Sequence, residues 1–125
     1  MPWNGPVARW DLVWVHLDPV VGREQGGDRR PALVLSNDAF NSRFEVVTIV
    51  PITGARGKKR KIYPFEVLLP KDAAGNLEAS IAMPYQVRTI SKLRVLKPIG
   101  SLSDPALREA IASRLIEHLG LELST

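Results

Sequence analysis

Apolar and polar residues along this chain follow two different periods. Over residues 11–18, DLVWVHLD, they alternate, with Leu12, Trp14, His16 and Asp18 on one face and Val13, Val15 and Leu17 on the other, as in a half-buried strand. PALVLS, 31–36, is a continuous apolar run suited to a central strand. FEVVTIVPIT, 44–53, is rich in β-branched residues, with Pro51 marking an edge or a bulge near its end. Shorter strands are expected over 62–69, 77–83 and 93–98. The period then changes. In SLSDPALREAIASRLIEHLGL, residues Leu107, Ile111, Leu115 and Leu119 recur every four positions with Ala112 and Ile116 beside them, which predicts an amphipathic helix. Ser103 or Asp104 is its natural N-cap, Pro105 suits its first turn and Gly120 its C-cap. Five or six short strands followed by one helix make a small, mainly β architecture.

Composition narrows the class. A chain of 125 residues is expected to form one domain, 1–125, and to bury about two-thirds of its unfolded surface. No apolar stretch approaches the ~20 residues that span a bilayer, so no membrane is expected as a partner. The first residues, MPWNGPVARWDLVWV, lack the basic and apolar regions of a signal peptide, and a cytoplasmic protein is the simplest reading. The chain has no cysteine, which removes disulfides, thiolate metal sites and cysteine nucleophiles together. His16 and His118 each lack a second ligand at metal-binding spacing. Trp3, Trp10 and Trp14 are assigned to packing or to contacts between subunits.

Charge adds a location. The formal net charge is +4, yet RGKKRK, 56–61, holds five basic residues and no acid, so all of the excess sits in one segment. A cluster of this kind suits contact with a phosphate backbone. Two more cations, Arg29 and Arg30, precede Pro31 at the start of the apolar run. If 31–36 and 44–53 pair antiparallel across the connection 37–43, Arg30 lies opposite Thr53. That places a guanidinium and a hydroxyl on one rim, beside a loop carrying Glu24, Gln25 and Arg29 and a second loop carrying Lys58, Lys59, Arg60 and Lys61. Such a rim is suited to a phosphodiester.

The stretches DLVWVHLDPVVGREQGG, RRPALVLSNDAFN, VVTIVPIT, YPFEV, QVRTISKLR and IGSLS resemble the MazF/PemK (Kid) toxins of bacterial toxin–antitoxin pairs, from about residue 11 to residue 103. The resemblance implies a small SH3-like β-barrel of the CcdB/PemK type with a C-terminal α-helix, forming a homodimer. It implies cleavage of single-stranded RNA with no metal and no cofactor, silenced by an antitoxin whose acidic C-terminal segment lies over the RNA groove. It places the catalytic arginine on Arg30, the catalytic threonine on Thr53, two loop residues on Glu24 and Gln25, and RNA-contacting residues on Gln86 and Arg88. Tyr85 and Arg29 join the expected RNA surface, and Glu24 is the nearest candidate for a general base. The chain departs from the family pattern at Trp10, where a glycine is usual, at Asp28, which reads as an insertion, and at His16, Tyr85 and Ser91, which stand where acids are usual.

RNA carries its own nucleophile in the 2′-hydroxyl. An enzyme need only align it, move two protons and stabilise the charged phosphorane, leaving a 2′,3′-cyclic phosphate and a 5′-hydroxyl. Arginine and threonine side chains at one rim fit those tasks. The alternatives are a non-catalytic, CcdB-like protein that binds gyrase on the same barrel, and a degenerate homologue that only binds RNA. The joint presence of Arg30, Thr53, Glu24 and Gln25 favours the nuclease.

Overall fold

A computed structural model describes residues 2–55 and 60–122. Seven strands form one antiparallel sheet: β1 (Asp11–Val15), β2 (Arg30–Val34), β3 (Val46–Gly54), β4 (Val67–Leu69), β5 (Ser80–Ala82), β6 (Arg88–Ser91) and β7 (Val95–Ser101). Two helices accompany them, α1 (Asp38–Arg43) and α2 (Pro105–Leu119). The hydrogen-bonded path runs β4-β5-β3-β2-β1-β7, with β6 also paired to β3. The path does not close on itself among the described residues, so the expected barrel is a partly open one. The strand at 88–91 and helix α1 were not predicted.

Strand β3 organises the sheet because its nine residues serve two sets of neighbours. Along one edge its first half pairs with β6, Val46 opposite Ser91, and its last three residues pair with β5, Thr53 opposite Ile81. Along the other edge it pairs with β2, from Val34 opposite Ile49 to Ala32 opposite Pro51. Pro51 has no N–H to give, and the change of partners occurs beside it. Its carbonyl still accepts from Met83 N–H at 3.1 Å.

The central strands are covered on both faces, so the simple in–out alternation read in 11–18 holds only in part. Leu12, Leu33, Val50 and Ile52 join Leu69, Leu102 and Ile111 in one cluster, while Val13, Val15, Ala32, Val34 and Ile49 join Ile90 and Val95 in another. Helix α2 closes the first cluster. Asp104 caps it by accepting from Ala106 N–H, Pro105 stands in its first turn, and Gly120 ends it in the left-handed region at φ 68°. Ile111 is its one buried residue, and Leu107 and Leu115 pack beside it. Leu119, the expected end of the stripe and the last residue of the helix, is 52% exposed. Truncating Ile111 to alanine would cost about 2–5 kcal/mol.

Trp10 stands just before β1, where the family resemblance leads one to expect glycine, and it takes the backbone that glycine favours, φ 74°. The ring is buried, and the guanidinium groups of Arg9 and Arg108 lie 5.2 and 5.4 Å from its centroid. Backbone bonds hold it on both sides, Trp10 N–H to the Val34 carbonyl and Leu102 N–H to the Trp10 carbonyl. Burial of a large ring of this kind, about 1.5–3 kcal/mol or more, offsets the 1–2 kcal/mol of left-handed backbone.

Candidate active site

Extending the β2–β3 register by two residues sets Arg30 opposite Thr53, as the sequence predicts. Both line one cleft of about 720 Å³, together with Trp14, Glu78 and Lys97. Thr53 points no hydrogen-bonding partner at its hydroxyl among the described residues, and the group is half-buried.

The Arg30 guanidinium is held by neutral acceptors. Its Nε donates to the Gly26 carbonyl, and Nη1 donates to the Ile52 carbonyl at 3.2 Å. These partners fix the Gln25 amide with its oxygen toward the guanidinium, where it accepts from Nη2 at 2.8 Å and Nη1 at 3.0 Å. These bonds take the Nε–H, both Nη1–H and one Nη2–H of the five donors, which leaves one Nη2–H for a ligand. Burial lowers the Arg30 pKa, and the charge of Asp18 works against that shift. The loop that supplies the acceptors is tied down at Gly27, whose N–H donates to Asp18 Oδ1 at 2.9 Å and whose carbonyl accepts from Leu17. Gly27 has φ 127°, a backbone open only to glycine in practice, and Arg30 Nε would stand 3.5 Å from a Cβ there.

A second arrangement lies at the foot of the basic segment. Glu66, only 3% exposed, receives Arg60 through both carboxylate oxygens at 2.9 Å, Tyr63 N–H at 3.1 Å and the Tyr85 hydroxyl at 2.9 Å. Burial pushes the Glu66 carboxyl up, but the Arg60, Tyr63 and Tyr85 hydrogen bonds prevail and leave it below the usual carboxylate range. Arg60 is raised by its bond to Glu66, and Tyr85 is raised by burial and by the same carboxylate. Phe65 packs edge-on to Tyr85 and face-on to Tyr63.

The remaining expected residues are dispersed. Arg29 lies over the Trp14 ring, 4.7 Å from its centroid, and Trp14 lines the cleft. Glu24 is exposed on the 19–29 loop, and its Oε1 accepts from Val21 N–H at 2.9 Å. Gln86 bridges to that loop, accepting from Gln25 N–H and donating to the Arg23 carbonyl, both at 3.2 Å. Arg88 begins β6, with its Nη1 buried and without a partner among the described residues. Lys61 sits over Tyr63 at 5.4 Å, and Lys58 and Lys59 lie outside the described residues. Arg60, expected as a free cation of the basic segment, is instead ion-paired. Glu66 escaped the sequence reading, although an acid standing alone after five basic residues, in YPFEV, was the available signal.

Comparison with known proteins gives a consistent neighbourhood. Residues 8–119 match the family model described as "PemK-like, MazF-like toxin of type II toxin-antitoxin system". Endoribonuclease MazF9 of Mycobacterium tuberculosis is 38% identical over 120 residues, covering 92% of this chain and 98% of that protein. Endoribonuclease EndoA of Bacillus subtilis is 40% identical over 98 residues, covering 78% and 82%. The crystal structure of MazF from Deinococcus radiodurans superposes with a TM-score of 0.78 at 28% identity, covering 94% of this chain and all of that one.

Proposed function

The chain belongs to the PemK-like, MazF-like family of type II toxin–antitoxin toxins, and we propose that it is a sequence-specific endoribonuclease that cleaves single-stranded RNA without a metal. The observation that carries this reading is Arg30, a half-buried guanidinium held by neutral acceptors in the same cleft as the Thr53 hydroxyl.

The remaining N–H of Arg30 and its positive charge hold a non-bridging oxygen of the scissile phosphate, and Thr53 adds a hydrogen bond where charge grows. The 2′-oxygen attacks phosphorus as the bond to the 5′-oxygen breaks. Glu24, with one oxygen still unclaimed by Val21, takes the 2′-hydroxyl proton, and Arg30 supplies a proton to the leaving 5′-oxygen. Products are a 2′,3′-cyclic phosphate and a 5′-hydroxyl. Among the described residues no three His, Asp or Glu side chains converge as metal ligands would. Cutting RNA in this way inhibits translation and growth, and the site lies in the cytoplasm; no described helix is long and apolar enough to cross a membrane.

The toxin acts as a homodimer of one-domain chains, with exposed Trp3 and Leu93 available to a second copy. Its cognate antitoxin covers the cationic rim with an acidic C-terminal segment. Lys58, Lys59, Lys61, Gln86 and Arg88 hold the RNA beyond the cut.

The test is incubation of the purified protein with single-stranded RNA in EDTA. Cleavage leaving 5′-hydroxyl ends is expected, and Arg30→Ala should lose about 10²–10³ in rate while melting normally. Metal-dependent cleavage, or a folded Arg30→Ala protein with full activity, would refute the reading.

A further inference from the structure

A carboxylate stands in the cleft beside Arg30 and Thr53, although a polyanion is expected to lie there. Glu78 belongs to the loop before β5, next to Leu77, which is 85% exposed. Its backbone is fixed from two sides, since its carbonyl accepts from Asn76 Nδ2 at 2.7 Å and from Ser80 Oγ at 2.9 Å. Asn76 is itself buried and tied to Pro70 and Ala74. The side chain leans over β3 immediately after Thr53. A Cβ at Gly54 would stand 2.5 Å from Glu78 Oε1, so glycine is what admits the carboxylate at this place. Among the described residues no ion pair engages that carboxylate, even though Lys97 lines the same cleft.

A carboxylate facing phosphate, with no ion pair among the described residues, weakens RNA binding unless it takes hydrogen bonds that only the right nucleotide offers. Trp14, Leu77, Pro98 and Ile99 give the rest of the cleft apolar walls, against which a base can lie. We propose that Glu78 reads a guanine within one or two nucleotides of the scissile phosphate. Its two carboxylate oxygens accept from guanine N1–H and N2–H side by side. Adenine and cytosine set their amino group beside a ring acceptor, which would face the second oxygen. Uracil flanks its single N–H with two carbonyl oxygens. The Watson–Crick edge is open to such a contact only in single strands. Electrostatics therefore make Glu78 a reader of base identity, with the phosphate left to Arg30.

The inference rests on the ribonuclease reading, and its test separates the two. A random single-stranded RNA library is digested with the wild-type protein and with Glu78→Ala and Glu78→Gln, and the new ends are sequenced. The wild type should enrich guanine at one fixed position near the cut. Both variants should lose that preference by about tenfold to a hundredfold, as the loss of a bidentate base contact predicts. Inosine, which lacks the 2-amino group, placed at the guanine should slow the wild type and leave Glu78→Ala indifferent to the exchange. Cleavage with no guanine preference, or with the same preference in all three proteins, overturns the role of Glu78 and spares the ribonuclease reading. Absence of cleavage by the folded wild type overturns both.

Discussion

Two arginines of this protein are held in opposite ways. At the start of β2, Arg30 meets two backbone carbonyls and the Gln25 amide oxygen, and burial lowers its pKa. At the foot of the basic segment, Arg60 meets the Glu66 carboxylate through a bidentate pair, and that bond raises its pKa. Neutral acceptors fix the position of a guanidinium while leaving most of its charge for a ligand. A carboxylate fixes the position and cancels the charge. Of the two, only Arg30 has no carboxylate bonded to it, as the proposed phosphate contact requires, whereas Arg60 belongs to a cluster that joins Tyr63, Glu66 and Tyr85.

This contrast predicts effects of different kind as well as size. Replacing Glu66 with glutamine should cost about 1–3 kcal/mol of folding stability, because the buried acceptor loses its charge-assisted bonds to Arg60, Tyr63 and Tyr85. The loss should depend on pH. With the folded Glu66 carboxyl titrating below its ordinary value of 4.5, the folded state binds fewer protons than the unfolded state around that pH. Its stabilisation is therefore complete above 4.5 and disappears as pH falls through the lower folded value. Denaturant melts of wild type and Glu66→Gln should differ most at neutral pH and converge in acid. Equal spacing at every pH would show that the carboxylate charge contributes nothing.

A smaller effect is expected at Arg29. Its guanidinium lies on the Trp14 ring, a contact worth about 0.5–1 kcal/mol at exposed sites. Arg29→Ala should slow cleavage less than tenfold, against the hundredfold or more expected for Arg30→Ala. A greater loss at Arg29 would mean that the neighbouring arginines have exchanged roles.

The pairing of Arg30 with Thr53 was legible because register follows from two apolar runs and the length between them, and β2 and β3 are long enough to show it. The caps of α2 were legible for a similar reason, as Asp104, Pro105 and Gly120 act on their own backbone. Helix α1 was hidden by its six residues, too few for a periodic stripe, although Asn37 caps it by accepting from Phe40 N–H. Strand β6 was hidden because RTIS exposes Thr89 and buries only Ile90. The Arg60–Glu66–Tyr85 cluster left only the lone acid of YPFEV as a sign, since it joins residues six and nineteen apart through the fold rather than along the chain. The same holds for Glu78, which meets Gly54 only because β3 and β5 pair.

The central claim is that Arg30 keeps its charge for a phosphate while Arg60 has given its charge to Glu66. Counterion release measures this directly, as the affinity of a non-cleavable RNA, deoxy-substituted at the cut site, across a salt series. For a single strand each phosphate contact contributes about 0.7 to the slope of log affinity against log salt. Arg30→Ala should give a line shallower than wild type by about that amount, and Arg60→Ala a line parallel to it. A parallel line for Arg30→Ala together with a shallower one for Arg60→Ala would contradict the account.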